Sequence, residues 1–411
     1  MDSASLHEGD PELRIVLVEI GFETGTHEIY QLVQSGSELD VLNDPRHVRE
    51  LVHMIRGSVT VQAQEGTLEF RSLEGFAGLG TELTSARTIA TEQSNTSIVF
   101  DEELILKVFR RLEAGVNPEL ELLRFLTERG FANIAQLAGW FAYIGRPLDA
   151  TLGVLQQFVA GGLDGWELAL DELESEPERF LARLRRLGNV TGTMHTVLGS
   201  DPADPNFSPE EPSAEALALL TATVDEEIMR IFVELPEDVE ALDPIRGRGE
   251  EVRESLALLS HVGSFGKLIR THGDFHLGQT LFAEEDWVIL DFEGEPARPL
   301  PERRRKRSPL RDVAGMLRSF AYAVSAVEIL RGAVAPDGWE SRAREEFLAG
   351  YHETVDPSLL PSGQAAVDRL LTVFELEKSV YELRYELNNR PDWVHIPVAG
   401  ILRMLETAAA A

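Results

Sequence analysis

The 411-residue chain contains no cysteine. Disulfides, thiolate nucleophiles and cysteine-held metal sites are thereby all excluded. Positive charge is also scarce: 38 Lys and Arg stand against 70 Asp and Glu, a formal net charge of −32. A surface of that sign repels phosphate backbones and anionic lipid, so neither a nucleic-acid nor a membrane partner is expected. No run approaches the roughly 18 uncharged apolar residues that cross a bilayer. The start, Met1 to Glu8, lacks the basic segment and apolar run of an export signal, and a cytoplasmic location is the expectation. An anionic substrate such as a nucleotide would need a local basic pocket or a divalent metal. What is present is ample apolar material, 43% of residues, enough for sizeable cores in roughly two to three domains.

The first ~110 residues read as strand-rich. Leu13 to Ile20 and Glu28 to Val33 form one hairpin through Thr24-Gly25-Thr26. Val59 to Gln64 and Thr67 to Ser72 form another, and Ser97 to Phe100 with Leu104 to Phe109 a third. Arg46 to Ile55 has short helical spacing. Asn117-Pro118 then opens a helix with the expected chemistry, an Asn cap followed by Pro in the first turn. From Trp166 onward helices dominate: Glu176 to Leu198, Ser213 to Leu235, Glu250 to Val262, Val313 to Leu330, Trp339 to Thr354 and Ala365 to Asn389. Two short strands, Thr280 to Phe282 and Trp287 to Leu290, interrupt them. The whole predicts an α+β chain with two lobes.

Chemistry concentrates in Thr271-His272-Gly273-Asp274-Phe275-His276-Leu277-Gly278-Gln279 and in Trp287 to Gly294, which carries Asp291 and Glu293. A carboxylate on a loop, an amide five residues later and a second carboxylate ending an apolar strand are the set that phosphoryl transfer needs. One orients the acceptor hydroxyl and takes its proton, while the oxygen ligands hold Mg²⁺. Such a layout also needs a strand lysine and a helix glutamate. Lys107 interrupts the apolar strand Leu104 to Phe109, and Glu121, set among Leu120, Leu122 and Leu123, is the expected partner over Glu119. Ser94, Asn95 and Thr96 offer hydroxyl and backbone donors for phosphates in a loop without glycine; a plain polar hairpin loop is the alternative. A zinc site is not expected, because Gly273 and Gly278 make the His272–His276 stretch a loop. His195 reads as a packed core residue. The run Arg303 to Arg307 reads as pairing with the surplus acids of the chain itself.

At these residues the sequence resembles the maltokinase family, a branch of the aminoglycoside-phosphotransferase-like kinases. Thr96 to Glu119, His272 to Arg318 and Tyr381 to Pro397 carry the likeness, the second most specifically. The resemblance implies a bilobal, protein-kinase-like fold with an N-terminal cap subdomain: cap over 1–90, nucleotide-binding part over 91–160, helical lobe over 161–411. The family's opening Arg-Trp-Phe segment is not found before Leu13, so the cap is expected to be short at its start. The resemblance also implies ATP and Mg²⁺ as cofactors and direct transfer of the γ-phosphoryl group to a sugar, maltose giving maltose 1-phosphate. Asp274 would be the base, with Gln279 and Asp291 on the metal and Glu293 assisting. Lys107 would grip phosphates with Glu121 behind it, and Gln157, Phe158 and Val159 would meet adenine. Relatives outside the branch carry Asn where Gln279 stands.

For the acceptor, Glu382, Tyr385, Glu386 and Asn389 share one helix face by spacing, and Trp393 follows. Carboxylates and amides bind sugar hydroxyls, and aromatic rings stack on a sugar's apolar face. His272 is placed with them as an acceptor contact. Acids on that face suit an aminosugar equally, so glucosamine kinase is the alternative within the enzyme class, and a non-catalytic nucleotide- or glucan-binding module the alternative outside it. The partners expected are a small-molecule sugar and ATP, for a monomer or weak homo-oligomer.

Overall fold

The computed structural model describes residues 1–7, 12–42, 44–74, 76, 83–89, 95–259 and 265–410. The chain divides into two compact units, the first comprising Met1–Gly162 with Val288–Arg304 and the second Leu163–Trp287 with Arg305–Ala411.

The first unit is built on two antiparallel sheets. One orders Asp2–His7, Leu13–Gly21, His27–Ser35 and Arg111–Leu112 side by side. The strand Asp2–His7 was not expected; it pairs with Leu13–Gly21 through Asp2 opposite Leu17. The other sheet has seven strands, in the order Thr60–Gln62, Gly66–Ser72, Leu137–Gly145, Asp149–Gln157, Leu104–Phe109, Asn95–Phe100 and Ala86–Ile89. Its central strand, Asp149–Gln157, is buried from Ala150 through Gln156. A strand covered on both faces has no alternation, so periodicity cannot separate it from a buried helical segment. The helix Pro118–Glu128 starts where Asn117 caps it, the Asn117 side chain accepting from the Glu119 N–H.

The second unit is largely helical: Gly165–Ser175, Pro177–Leu198, Ala214–Val233, Gly249–Leu259, Leu310–Arg331, Trp339–Thr354, Gln364–Asn389 and His395–Ala410. Pro177–Leu198 and Trp339–Thr354 pack so closely that a Cβ on Gly188 would lie 2.0 Å from the Phe347 carbonyl oxygen, and one on Gly350 1.9 Å from that of Arg185. Only glycine permits that approach. A second core gathers Val224, Ile228, Val252, Leu256, Val380, Leu383 and Ile401. Among the described residues one helix, Leu310–Arg331, is long and apolar enough to cross a membrane, and two-thirds of its apolar window is buried inside the unit. Thr280–Ala283 and Asp286–Ile289 form a small hairpin, with Leu163–Asp164 beside the first.

Candidate active site

In the first unit the geometry centres on Lys107. Pleating sends its side chain to the face opposite Leu106 and Val108, which are buried in the core. Its Nζ lies 2.7 Å from Glu119 Oε2, 2.8 Å from Asp291 Oδ1 and 2.5 Å from Glu293 Oε1. The expected partner, Glu121, is thus corrected to Glu119. The two are about 200° apart on the helix, so only one can face the strand. Glu119, 1% exposed, takes that place, and Gln156 Nε2 holds its other oxygen at 3.3 Å. Glu121 receives Arg304 instead, at 2.9 and 3.0 Å.

Asp291 follows a strand end anchored by the Ile289 N–H on the Asn133 carbonyl. Its φ of 59° is left-handed, a conformation that costs a non-glycine residue energy and that clusters at functional sites. Phe292, fully buried, pins the segment. Arg303 donates to the Glu293 carbonyl at 3.1 Å and pairs with Glu113. With Arg304 on Glu121 and Lys306 on Glu210 at 2.6 Å, these members of the basic run are spent within the chain.

Electrostatics make this a cation-hungry cluster. Burial alone would lower the Lys107 pKa, but the charges of Glu119, Asp291 and Glu293 raise it well above its ordinary value. Burial pushes the Glu119 carboxyl up to about 7, with Lys107 opposing and Glu293 and Asp291 adding to the rise. One oxygen from each of Glu119, Asp291 and Glu293 lies within 4.8 Å of the others. Hard oxygen donors so grouped fit a divalent cation such as Mg²⁺.

The phosphate-loop residues separate. Ser94 lies outside the described residues. Asn95 donates to Glu293 Oε1 at 2.9 Å, and both line a recess with Phe109, Asn117 and Asp291. Thr96 is a correction: it is fully buried, its hydroxyl accepting from Arg110 Nε at 2.7 Å, so the strand turns it away from any phosphate. Gln157 ends the central strand, its N–H on the Gln136 carbonyl. The Phe158 N–H donates to the Glu103 carbonyl at 2.7 Å, beneath the Arg87 guanidinium, and Val159 follows.

In the second unit the Asp274 loop rests on one buried carboxylate. Asp312 accepts from the His272 N–H at 2.8 Å and the Gly273 N–H at 3.0 Å, while His195 Nε2 lies 3.1 Å away. Tyr351 holds the other nitrogen of His195. Burial works against the Asp312 charge, yet the His195 hydrogen bond, with His272 and the Gly273 N–H, holds its pKa below the ordinary range. His195 is the core residue its sequence setting suggests. His272 is corrected from an acceptor contact: its side chain is buried against Phe275, and it serves the loop. Gly315 lets the loop touch the helix, since a Cβ there would lie 2.6 Å from the Phe275 carbonyl oxygen. Gln279 ends a short turn, its N–H on the His276 carbonyl. The Asp274 carboxylate has Lys378 Nζ at 3.5 Å and His276 Nε2 at 4.0 Å.

Lys378 starts a row on the Gln364–Asn389 helix that continues through Glu382 and Tyr385 to Asn389. Arg318 donates twice to Glu382 Oε2, at 3.0 and 2.7 Å. Glu386, 1% exposed, is corrected to a structural acid, because Tyr322 and Arg390 fill the space a sugar would need. The Trp393 ring is likewise buried, stacked with Tyr322 and under Arg390, and is no open platform. Tyr385, 46% exposed, and Asn389 remain accessible. Sequence reasoning weighed Glu119 but chose Glu121, and it missed Gln156, Asp312, Arg318 and Lys378. Among the residues not chosen, only two carried a local signal: Glu119 in the capped first turn, and Lys378 four residues before Glu382.

Comparison with known proteins settles the class. Residues 85–343 match the phosphotransferase enzyme family. The chain belongs to that family. The phosphotransferase is 27% identical over 346 residues to a glucosamine kinase of Streptacidiphilus jiangxiensis, covering 81% of this chain and 76% of that protein. It is 23% identical to a glucosamine kinase of Mycolicibacterium smegmatis, over 78% and 79% of the two chains. A solved glucosamine kinase in complex with glucosamine, ADP and inorganic phosphate superposes with a TM-score of 0.77 at 22% identity, covering 98% of this chain and 92% of that one. The phosphotransferase therefore has the protein-kinase-like fold of its family, acting on a hydroxyl acceptor.

Proposed function

We propose that the phosphotransferase is an ATP-dependent sugar kinase whose acceptor is glucosamine. The observation that carries this is the row beginning at Asp274, in which Lys378, Glu382, Tyr385 and Asn389 run along one helix from the base outward. Glu382 is half-buried with both Arg318 bonds on Oε2, and its Oε1 suits a sugar ammonium or hydroxyl. Glucosamine displaces maltose, the acceptor the sequence resemblance implies, because both curated relatives above are glucosamine kinases.

Asp274 accepts a hydrogen bond from the reacting hydroxyl and takes its proton as the new P–O bond forms. Lys107 holds phosphate oxygens and Glu119 keeps its ammonium in place. Asp291 and Glu293 are the residues of the first unit that would hold Mg²⁺, and Gln279 is proposed as a ligand from the sequence motif alone; the ion would supply neutralising charge to the phosphates. Gln157, Phe158 and Val159 are proposed to meet adenine.

The test is ADP release with Mg-ATP over glucosamine, maltose, glucose and an aminoglycoside, beside Asp274→Asn. Turnover on glucosamine that falls by about 10²–10⁴ in the variant supports both the acceptor and the base. Turnover on maltose alone moves the acceptor, and nucleotide binding without any turnover leaves a binding module.

A further inference from the structure

The whole chain has four lysines, against 34 arginines. Where a cation is needed to brace an acid, arginine is used almost throughout. Lys107 is one exception and stands at the acid cluster; Lys378 is another and stands 3.5 Å from Asp274 Oδ1. The acids around Lys378 on its own helix have arginine partners already: Glu375 has Arg344, Glu377 has Arg311 and Glu382 has Arg318, each at 2.7–2.8 Å. Asp274, from outside that helix, is an acid that Lys378 faces. At 3.5 Å it sits beside Asp274 without the 2.7–3.2 Å contact of a strong hydrogen bond. Its side chain keeps access to solvent, and its Cε passes 3.8 Å from where a Cβ of Gly315 would be.

We propose that Lys378 is a catalytic residue, its ammonium contacting the phosphoryl group as it passes to the hydroxyl held by Asp274. This rests on the kinase reading above. A hydroxyl bonded to Asp274 lies about 2.7 Å from the carboxylate, so a phosphoryl group joining that oxygen comes within the swing of Nζ. Lysine suits the task as a point charge with rotatable donors, which follows a moving oxygen better than the rigid fork of arginine. In the step, the acceptor O–P bond forms, the bond from phosphorus to the β,γ-bridging oxygen breaks, and the hydroxyl proton goes to Asp274. Lys378 keeps its own protons throughout.

The experiment compares wild type with Lys378→Met and Lys378→Arg in the full chain. Glucosamine-dependent ADP release, slow ATP hydrolysis with water as acceptor, and calorimetric binding of Mg-ADP with and without aluminium fluoride are measured. Loss of one transition-state donor predicts a fall in kcat of about 10²–10³ in Lys378→Met. KM for the sugar, Mg-ADP affinity and melting temperature stay within about threefold or a few degrees. Affinity for Mg-ADP with aluminium fluoride falls by a factor like that in kcat, and Lys378→Arg restores part of both. A kcat within fivefold of wild type overturns the proposal, as does a fall in kcat with aluminium fluoride binding untouched, since Lys378 would then only position Asp274. If glucosamine is not turned over, the acceptor reading fails, and the ATP hydrolysis rate still decides Lys378.

Discussion

In the first unit one ammonium, Lys107, faces the three carboxylates of Glu119, Asp291 and Glu293. In the second, Glu375, Glu377, Glu382 and Glu386 each have an arginine of their own, and Asp274 has Lys378. Both neighbourhoods are acidic, but in the first three carboxylates share one ammonium. A cluster left negative invites a divalent cation, and its geometry keeps the oxygens close enough to share one. A balanced row instead presents fixed hydrogen-bonding groups, which suits an acceptor that must be oriented before reaction. The shared ammonium thus stands where a metal would relieve the crowded carboxylates.

Removing the one cation is the sharpest way to break this contrast. Lys107→Met leaves three carboxylates facing one another, one of them fully buried, and should cost about 3 kcal/mol in urea unfolding at pH 7.5. A loss below about 1 kcal/mol would show that the cluster relaxes into solvent and is not held short of charge. The pH dependence carries a definite sign. Glu119 has a folded pKa of about 7 against an ordinary 4.5. The folded protein therefore binds more protons between those values. Its contribution to stability is present below about pH 4.5 and is lost as pH rises through about 7. Glu119→Gln should flatten the stability curve across that window.

The parts legible in sequence are those whose chemistry is local. Asp274, Gln279 and Asp291 announce themselves by spacing within 18 residues, and the capped helix at Asn117-Pro118 starts where its residues say it should. Asp149–Gln157 is not legible, because a strand covered on both faces loses the alternation that marks a strand, and in Leu137–Gly145 a continuous apolar sequence hides the alternation its burial shows. Choosing Glu121 over Glu119 failed for a related reason: apolar neighbours mark a helix face only when counted at 100° per residue. The return of Val288–Arg304 to the first unit depends on residues far away in sequence, as do the buried roles of Glu386 and Trp393, which meet Tyr322.

A paired substitution tests the Glu119 correction with a smaller effect. Glu119→Gln weakens the hold on Lys107 and should lower kcat/KM for Mg-ATP by about 10-fold or more. Glu121→Gln removes only a partly exposed pair with Arg304, worth about 1 kcal/mol of stability or less, and should leave kcat/KM within about threefold. Equal losses in the two variants would mean that the helix as a whole, and not the buried carboxylate, positions the lysine.

The smallest effect belongs to the balanced side. Tyr385 is exposed, its ring 5.5 Å beneath the Arg390 guanidinium, and no core packing depends on it. Tyr385→Ala should change unfolding free energy by less than about 0.5 kcal/mol. If the ring stacks on the acceptor, its removal costs about 0.5–1.5 kcal/mol of binding, read as a twofold to tenfold rise in KM for glucosamine with kcat unchanged. Uniform loss of that kind marks a group that binds substrate and transition state alike. A fall in kcat at constant KM would instead show that the ring orients the reacting hydroxyl, and would move Tyr385 from the outer half of the row to the same work as Asp274. The two outcomes separate a row that merely holds its acceptor from one that aims it.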